Sequence, residues 1–567
     1  MQLINRIRQT TPLLCRTKRI FVILNGLLLY SFFLLSPAET RGQTKEESRE
    51  LIVTITSDQG GLLPARAWID TDSGHLFQPT IPESCTPYPR DRSFSCNGKF
   101  QIEVPRGSIL IHVEKGKEWM PVNLKVEDDG AARIEKTITL KRWINMPALG
   151  YYSSDLHMHF GHDRPEVLKQ LSLADDLHLL PSFTYWLRGN EPEWKSSWPQ
   201  WEGGGTIHVD DQHFVTRSNL EIERISNREE PGGSVGASFL FNLKAPVSTS
   251  RYDTRFPTDT TLCLNALKHS PECVIDTDKP SWGETVIGAA LGVYDVAQVC
   301  HNHYHRERTL PGGWGMIGPL TKGEGDISKG DELFHRTNRQ YYHWLNCGIR
   351  MGVSGGSAMG VMAVPAGYNR TYAKVEGEFG PESFWRAVKK GRTMATSGPM
   401  IFLEAEGEFP GDTLSLSSNS RTTIGIKVKL RSLTPVDSVQ LVLNGRVVES
   451  APPIRNREMP NLLEFQWNLP VKRSGWIAAR TLFKSPDGRL RQAHTSPIYL
   501  QLDEKPIAFK GSATYMVRWV DRLIEIAEAP GRYRSQVDKK QVLATYAKAR
   551  EFYSNAVDAS VKLWGDE

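Results

Sequence analysis

Over residues 147–398 strand-like runs alternate with helix-like ones, and this alternation restricts that part of the chain to an α/β architecture. The strand-like runs are 153–159, 179–186, 237–242, 296–303 and 349–353; the helix-like ones are 165–177, 331–347 and 382–390. A barrel-type domain fits the pattern, with the loops after its strands gathering side chains at one mouth. The chain has 567 residues, too many for one core, and its outer parts read differently.

Residues 51–146 and 400–505 carry short alternating runs separated by Gly, Asn and Asp turns, as β-sandwiches do. In the first part 51–55, 67–69, 100–104, 108–113 and 134–140 read as strands, with Asn97-Gly98 and Arg106-Gly107 as turn pairs. In the second, 424–430 alternates, and Asn444-Gly445 follows 439–443 as a hairpin turn. Residues 506–567 hold two apolar stripes at helical spacing. One is Met516, Trp519, Val520, Leu523 and Ile526; the other is Val542, Tyr546, Ala549, Phe552 and Ala556. Pro530-Gly531 breaks the chain between them. The expected fold class is therefore multidomain, α/β plus all-β. A linker covers 39–50, a β-sandwich 51–146, a β/α barrel 147–399, a second β-sandwich 400–505 and a helical hairpin 506–567.

The N-terminus reads as an export segment. Arg6, Arg8, Arg16, Lys18 and Arg19 are followed by an apolar run over 20–35 and by Ser36-Pro37-Ala38. A cleaved signal peptide and a retained anchor over 1–38 both fit, and both place the folded part in the periplasm or outside the cell. These five cations account for the net charge of +5, so the remainder is balanced. No nucleic-acid partner is expected, nor a membrane beyond that anchor. In an oxidising compartment Cys85 with Cys96, and Cys263 with Cys273, are spaced for disulfides; free buried thiols are the alternative. Cys300 and Cys347 stand near histidines, but Cys300 should face away from His301, His303 and His305.

The chemistry centres on His157-Met-His159, preceded by Asp155 and followed by His162. In an extended chain both imidazoles point to one face, where they can grip one metal ion. The spacing alone is a weak signal, since ordinary core or surface histidines satisfy it too. A second run, His301-Asn-His303-Tyr-His305, strengthens it. Asp276 and Asp278 offer carboxylates, as do Glu221, Glu223, Glu229 and Glu230. The expected nitrogen ligands are His157, His159 and His303 around a divalent metal, zinc or manganese, with one position open for water; which acid joins them stays open.

Other features carry less. Gly352-Val-Ser354-Gly-Gly356 matches a nucleophile elbow, but the one histidine after it is His494, in the terminal β-part. His178 is expected to cap or pack. His208 and His213 suit the surface or the cleft wall, and Arg306 and Arg308 suit solvent or an anionic substrate group. Trp194, Trp198 and Trp201 stand in a polar stretch, 188–205, that reads equally as a flap or as a surface loop.

The stretch "YYSSDLHMHFGHDRPEVLKQLSLADDLHLLPSFTYW" resembles the opening of the polymerase-and-histidinol-phosphatase (PHP) superfamily, and most closely its carbaryl-hydrolase-like secreted members. "DTDKPSWGETVIGAALGVYDVAQVCHNHYHRE" and "FWRAVKKGRTMATSGPM" extend the resemblance, which covers roughly residues 50–505. "FSCNGKFQIEVPRGSILIHVEKG" resembles a carboxypeptidase regulatory-like domain. The resemblance implies a distorted β/α barrel with a metal site at its strand ends. It also implies hydrolysis of an ester, carbamate or phosphoester in a small-molecule or glycan substrate. His157 and His159 match the first ligand motif, and the acid that the resemblance implies beside them is Glu230 or Glu223. Three later motifs lack their ligands: Phe183-Thr-Tyr-Trp186, Lys279-Pro280, and Gly356-Ser-Ala-Met-Gly360, where Asp and His are replaced. A non-catalytic carbohydrate- or protein-binding protein on a degenerate barrel is therefore the rival expectation.

Overall fold

The structure, a computed structural model, describes residues 48–565 except 73–75, 78–79, 162–163, 189–204, 226–233, 246, 248–255, 257, 311–329, 420–421, 453–460, 486–488 and 531–532. The expected export segment, His162, Trp194, Trp198, Trp201, Glu229 and Glu230 lie outside the described residues. Among the described residues strand makes up 39% and helix 24%, so sheets carry the mixed α/β architecture.

Strand Ser48–Ser57 shows a period-two pattern, with Leu51, Val53 and Ile55 fully buried. It pairs in parallel with Arg133–Leu140 and sits beside Lys99–Pro105 in a three-stranded sheet. A second sheet orders Thr86–Tyr88, Ser93–Cys96, Ala65–Thr71, Ile109–Glu114 and Val122–Val126. Side chains of both sheets share one apolar core.

Cys85 and Cys96 belong to this core, and Cys263 and Cys273 to the largest core of the molecule. All four are free buried thiols, which corrects the expected disulfides. They pack as small apolar side chains. Burial raises the pKa of each, with Cys96 pushed up to about 12.

Two larger sheets follow. The first orders Tyr185–Arg188, Leu220–Ile225, Ser234–Phe241, Val274–Asp276, Val296–Cys300 and Gly352–Gly355. Its last three strands are parallel and are joined by helices Thr285–Ala290 and Gly330–Asn346, the crossovers that parallel pairing requires. The second has twelve strands. It runs from Thr206–Asp210 through His213–Thr216, Leu179–Pro181, Tyr151–Ser154, Arg370–Lys374, Thr393–Thr396 and Leu490–Thr495 into Gly475–Lys484, Ser438–Leu443 and Arg446–Ala451. Helix Pro165–Ala174 connects the parallel strands Tyr151–Ser154 and Leu179–Pro181. The two sheets meet at strand ends, where Leu156 N, just past strand Tyr151–Ser154, donates to Gly355 O (3.2 Å).

The far half of the twelve-stranded sheet shares an apolar core with Met400–Ala405, Thr423–Ser432 and Asn461–Pro470. Asn444 and Gly445 both have positive φ, 52° and 88°, as the hairpin turn there requires. Helices Lys510–Glu528 and Gln536–Trp564 pack together and bury Met516, Trp519, Val520 and Leu523 in the largest core. Trp519 Nε1 donates to Gly283 O (3.0 Å) and Tyr553 Oη to Val286 O (2.8 Å). Tyr553, rather than Phe552, takes the fully buried place on the second stripe. Among the described residues no helix is long and apolar enough to cross a membrane.

Candidate metal centre

Strand Tyr151–Ser154 ends before the histidine pair, because Asp155 redirects the chain. Its fully buried carboxylate accepts the amides of His157 (3.0 Å), Ser357 (2.9 Å) and Gly367 (2.7 Å). Burial pushes this carboxyl up to about 6, against the pull of those donors. Met158 then bridges to Met359, and His159 N donates to Met359 O (2.9 Å). Segment 356–360 thus forms the floor under the pair. Gly356 leaves room for His157: a Cβ there would lie 2.5 Å from the histidine's own Cβ.

The pair converges. His157 Nε2 and His159 Nε2 are 3.1 Å apart. One Glu221 oxygen lies 2.8 Å from His159 Nε2 and 3.8 Å from His157 Nε2. Glu221 comes from strand Leu220–Ile225, where it registers with Phe239. The Phe239 ring packs 4.3 Å from the His157 ring and the Phe183 ring 5.1 Å from that of His159, an apolar wall around the donors. All three donor residues are at least nine-tenths buried as side chains.

These separations allow a direct test of fit. Sides of 3.1, 2.8 and 3.8 Å give a triangle with a circumscribed radius of about 1.9 Å, just under the 2.0–2.2 Å of zinc–nitrogen and zinc–oxygen bonds. One point close to the plane of the three atoms therefore lies at bonding distance from all of them. Burial, with help from His159, Lys279 and His301, holds the His157 pKa well below its ordinary value, so its ring is a neutral donor at neutral pH. The residues fit a divalent cation.

His157 Nδ1 faces Asp278 at 3.7 Å. Asp278 is itself held by Lys279 Nζ (2.7 Å) and Trp282 Nε1 (2.8 Å). Lys279, which stands where the resemblance expects a histidine, thus serves the site through a carboxylate. Asp276 is engaged elsewhere, accepting the Ser354 hydroxyl at 2.6 Å. That bond occupies the serine of the elbow-like motif, while His494 binds Tyr342 Oη (2.6 Å) and Thr495 O (2.7 Å), so Ser354 and His494 are engaged with other partners.

Of the expected ligands, His157 and His159 join the cluster. Glu221 supplies its carboxylate, and Glu230 is outside the described residues. His303 is not part of that cluster; it follows strand Val296–Cys300 in a loop with His301, and both rings are buried. Burial drives His303 down to about 3 and His301 well below the ordinary value, with Lys279 adding to both shifts. His303 Nδ1 is buried without a hydrogen-bond partner among the described residues. Glu223 is half-buried and outside the cluster. His178 accepts the Ser153 amide (3.1 Å) and stacks on His213, while His208 is exposed. Arg306 is neutralised by Asp91 (3.1 Å) and Glu114 (3.0 Å). Cys300 Sγ lies 3.3 Å from Asn369 Oδ1.

The helper groups had weak sequence signals. Phe183 and Phe239 read as ordinary strand residues, and Lys279 as a lost ligand. The run of small residues at 355–357 was the usable clue to close packing under the histidines. No protein-family model, no curated protein and no solved structure matches this chain.

Proposed function

We propose that the chain is an exported, metal-dependent hydrolase of the PHP kind, with its two central sheets forming the wall of a distorted β/α barrel. One observation carries the proposal: three donor atoms, two from the segment after strand Tyr151–Ser154 and one from strand Leu220–Ile225, surround a point at metal-bonding distance. His157, His159 and Glu221 would hold zinc or manganese, which when bound would supply Lewis acidity toward an ester, carbamate or phosphoester and lower the pKa of water. The protein's own groups do the rest. Asp278 lies 3.7 Å from the ring's other nitrogen, beyond hydrogen-bond length, and acts on the His157 ring through its charge. Phe183 and Phe239 keep bulk water from the donors. His303, neutral and with a free Nδ1, is assigned to orient the substrate as a hydrogen-bonding group, since a ring held down at about 3 is too weakly basic to take a proton.

The test is metal content and zinc calorimetry on the full chain, then turnover of p-nitrophenyl acetate and bis-p-nitrophenyl phosphate. His157→Ala, His159→Ala and Glu221→Gln should each weaken zinc binding about a hundredfold or more, because each removes a direct ligand. His303→Ala should keep the metal and lose turnover. Zinc bound equally by all four variants would sink the site.

Ala358 and Gly360, which replace the Asp and His of the resembled motif, favour a second reading. In it the metal only stiffens a carbohydrate- or protein-binding surface. That reading expects stoichiometric metal with no turnover of either substrate.

A further inference from the structure

Away from the histidines, two cations share one aromatic ring without a carboxylate of their own. Lys117, in the turn after strand Ile109–Glu114, places Nζ 4.2 Å from the centre of the Tyr368 ring. Arg491, on strand Leu490–Thr495, places Cζ 5.1 Å from the same centre. Arg491 donates to the carbonyls of Leu490 (3.2 Å) and Arg306 (3.4 Å). Among the described residues the Lys117 ammonium has no hydrogen-bond or ion-pair partner. Glu114, the carboxylate that acts on it, is bound to Arg306 at 3.0 Å.

A second observation is independent of the charges. Tyr368 is only 6% exposed, yet its hydroxyl has no hydrogen-bond partner among the described residues. A buried hydroxyl left this way is unfavourable. Stacking of the two cations on the ring accounts for their attraction to its face. It leaves the hydroxyl unsatisfied and the two positive charges repelling each other. One ligand chemistry answers both: an oxygen anion accepts from ammonium, guanidinium and phenol together. Lys117 and Arg491 are half-buried rather than sealed, so a ligand from solvent can reach them.

We propose that Lys117, Arg491 and Tyr368 form a binding site for an oxyanion group, phosphate, sulfate or carboxylate, at the seam between the first β-part and the strand that carries Arg491. The bound group neutralises the pair and takes the hydroxyl proton as a hydrogen bond. None of the proposed metal ligands takes part, so the site stands or falls apart from the hydrolase reading.

Calorimetric titration of the full chain in a zwitterionic buffer tests it, with inorganic phosphate, sulfate and acetate as separate probes. One-site binding of at least one probe is expected. Phosphate and sulfate ahead of acetate would identify a tetrahedral group; acetate ahead would identify a carboxylate. Lys117→Met and Arg491→Met should each weaken binding about tenfold or more, the size of a lost charge-assisted hydrogen bond. Tyr368→Phe, which keeps the ring, should weaken it less but measurably. Lys429→Met, a lysine on strand Thr423–Ser432 paired with Glu464, should leave it unchanged. No saturable binding of any probe, or binding that survives both Lys117→Met and Arg491→Met, would overturn the proposal.

Discussion

Gly356 shows how little space separates the histidine pair from its floor. A methyl group there would meet His157 Cβ at 2.5 Å and Gln298 Nε2 at 2.9 Å, distances that nothing in a packed interior tolerates. Gly356→Ala must displace His157 or the backbone beneath it, at about 1–3 kcal/mol for overpacking. Zinc affinity should fall clearly while the melting temperature falls only modestly; calorimetry and thermal unfolding on one preparation separate the two. Lys117 supports a pH prediction. Burial, then repulsion from Arg491, lowers its pKa to about 7, against an unfolded value of about 10.4. Between these values the unfolded chain binds the extra proton, so folding is stabilised as pH rises. The contribution is complete above the unfolded value and is lost as pH falls through about 7. In anion-free buffer the melting temperature should therefore climb between pH 7 and 9, and Lys117→Met should lack that component. An identical climb in both proteins would show that Lys117 carries an ordinary pKa.

Trp519 ties the C-terminal hairpin to the body through both packing and a hydrogen bond. It is 1% exposed and donates to the Gly283 carbonyl, one residue before the N-cap of helix Thr285–Ala290. Trp519→Ala should cost about 3–5 kcal/mol, the usual range for a large buried aromatic, read from urea unfolding. Elements of this kind were legible in the sequence, because Met516, Trp519, Val520, Leu523 and Ile526 repeat at helical spacing and all are buried. Strand Thr423–Ser432 was legible for the same reason at period two. The expected strand over 153–159 instead stops at Ser154, since Asp155 offers its neighbours' amides a side-chain acceptor in place of a ladder. Convergence of His157 and His159 was readable from their spacing. The choice of Glu221 among four nearby acids was not. It depends on the register of Leu220–Ile225 against Ser234–Phe241, and on a meeting of two sheets that no local pattern encodes.

At the scale of the whole molecule the hairpin and the candidate metal centre are connected through the largest core. The hairpin contributes Met516, Trp519, Val520, Leu523, Val542, Tyr546 and Tyr553 to a cluster that also contains Val286, Ile287, Tyr341 and Trp344. Those four lie on the two helices that join Val274–Asp276, Val296–Cys300 and Gly352–Gly355. The loops after these strands carry Asp278, His301 and the glycine floor. Removing residues 506–567 would expose both sides of that cluster. At about 1.5–3 kcal/mol per large side chain, seven side chains amount to roughly 10–20 kcal/mol, as much as the whole stability of a typical domain. The chain ending at 505 should accumulate insoluble, or as a soluble species that binds a hydrophobic dye strongly and has lost zinc. A truncated chain that stays soluble, binds no dye and keeps full zinc affinity would mean that the crossover helices hold the strand ends without the hairpin. The seven buried side chains would then stabilise only the hairpin itself.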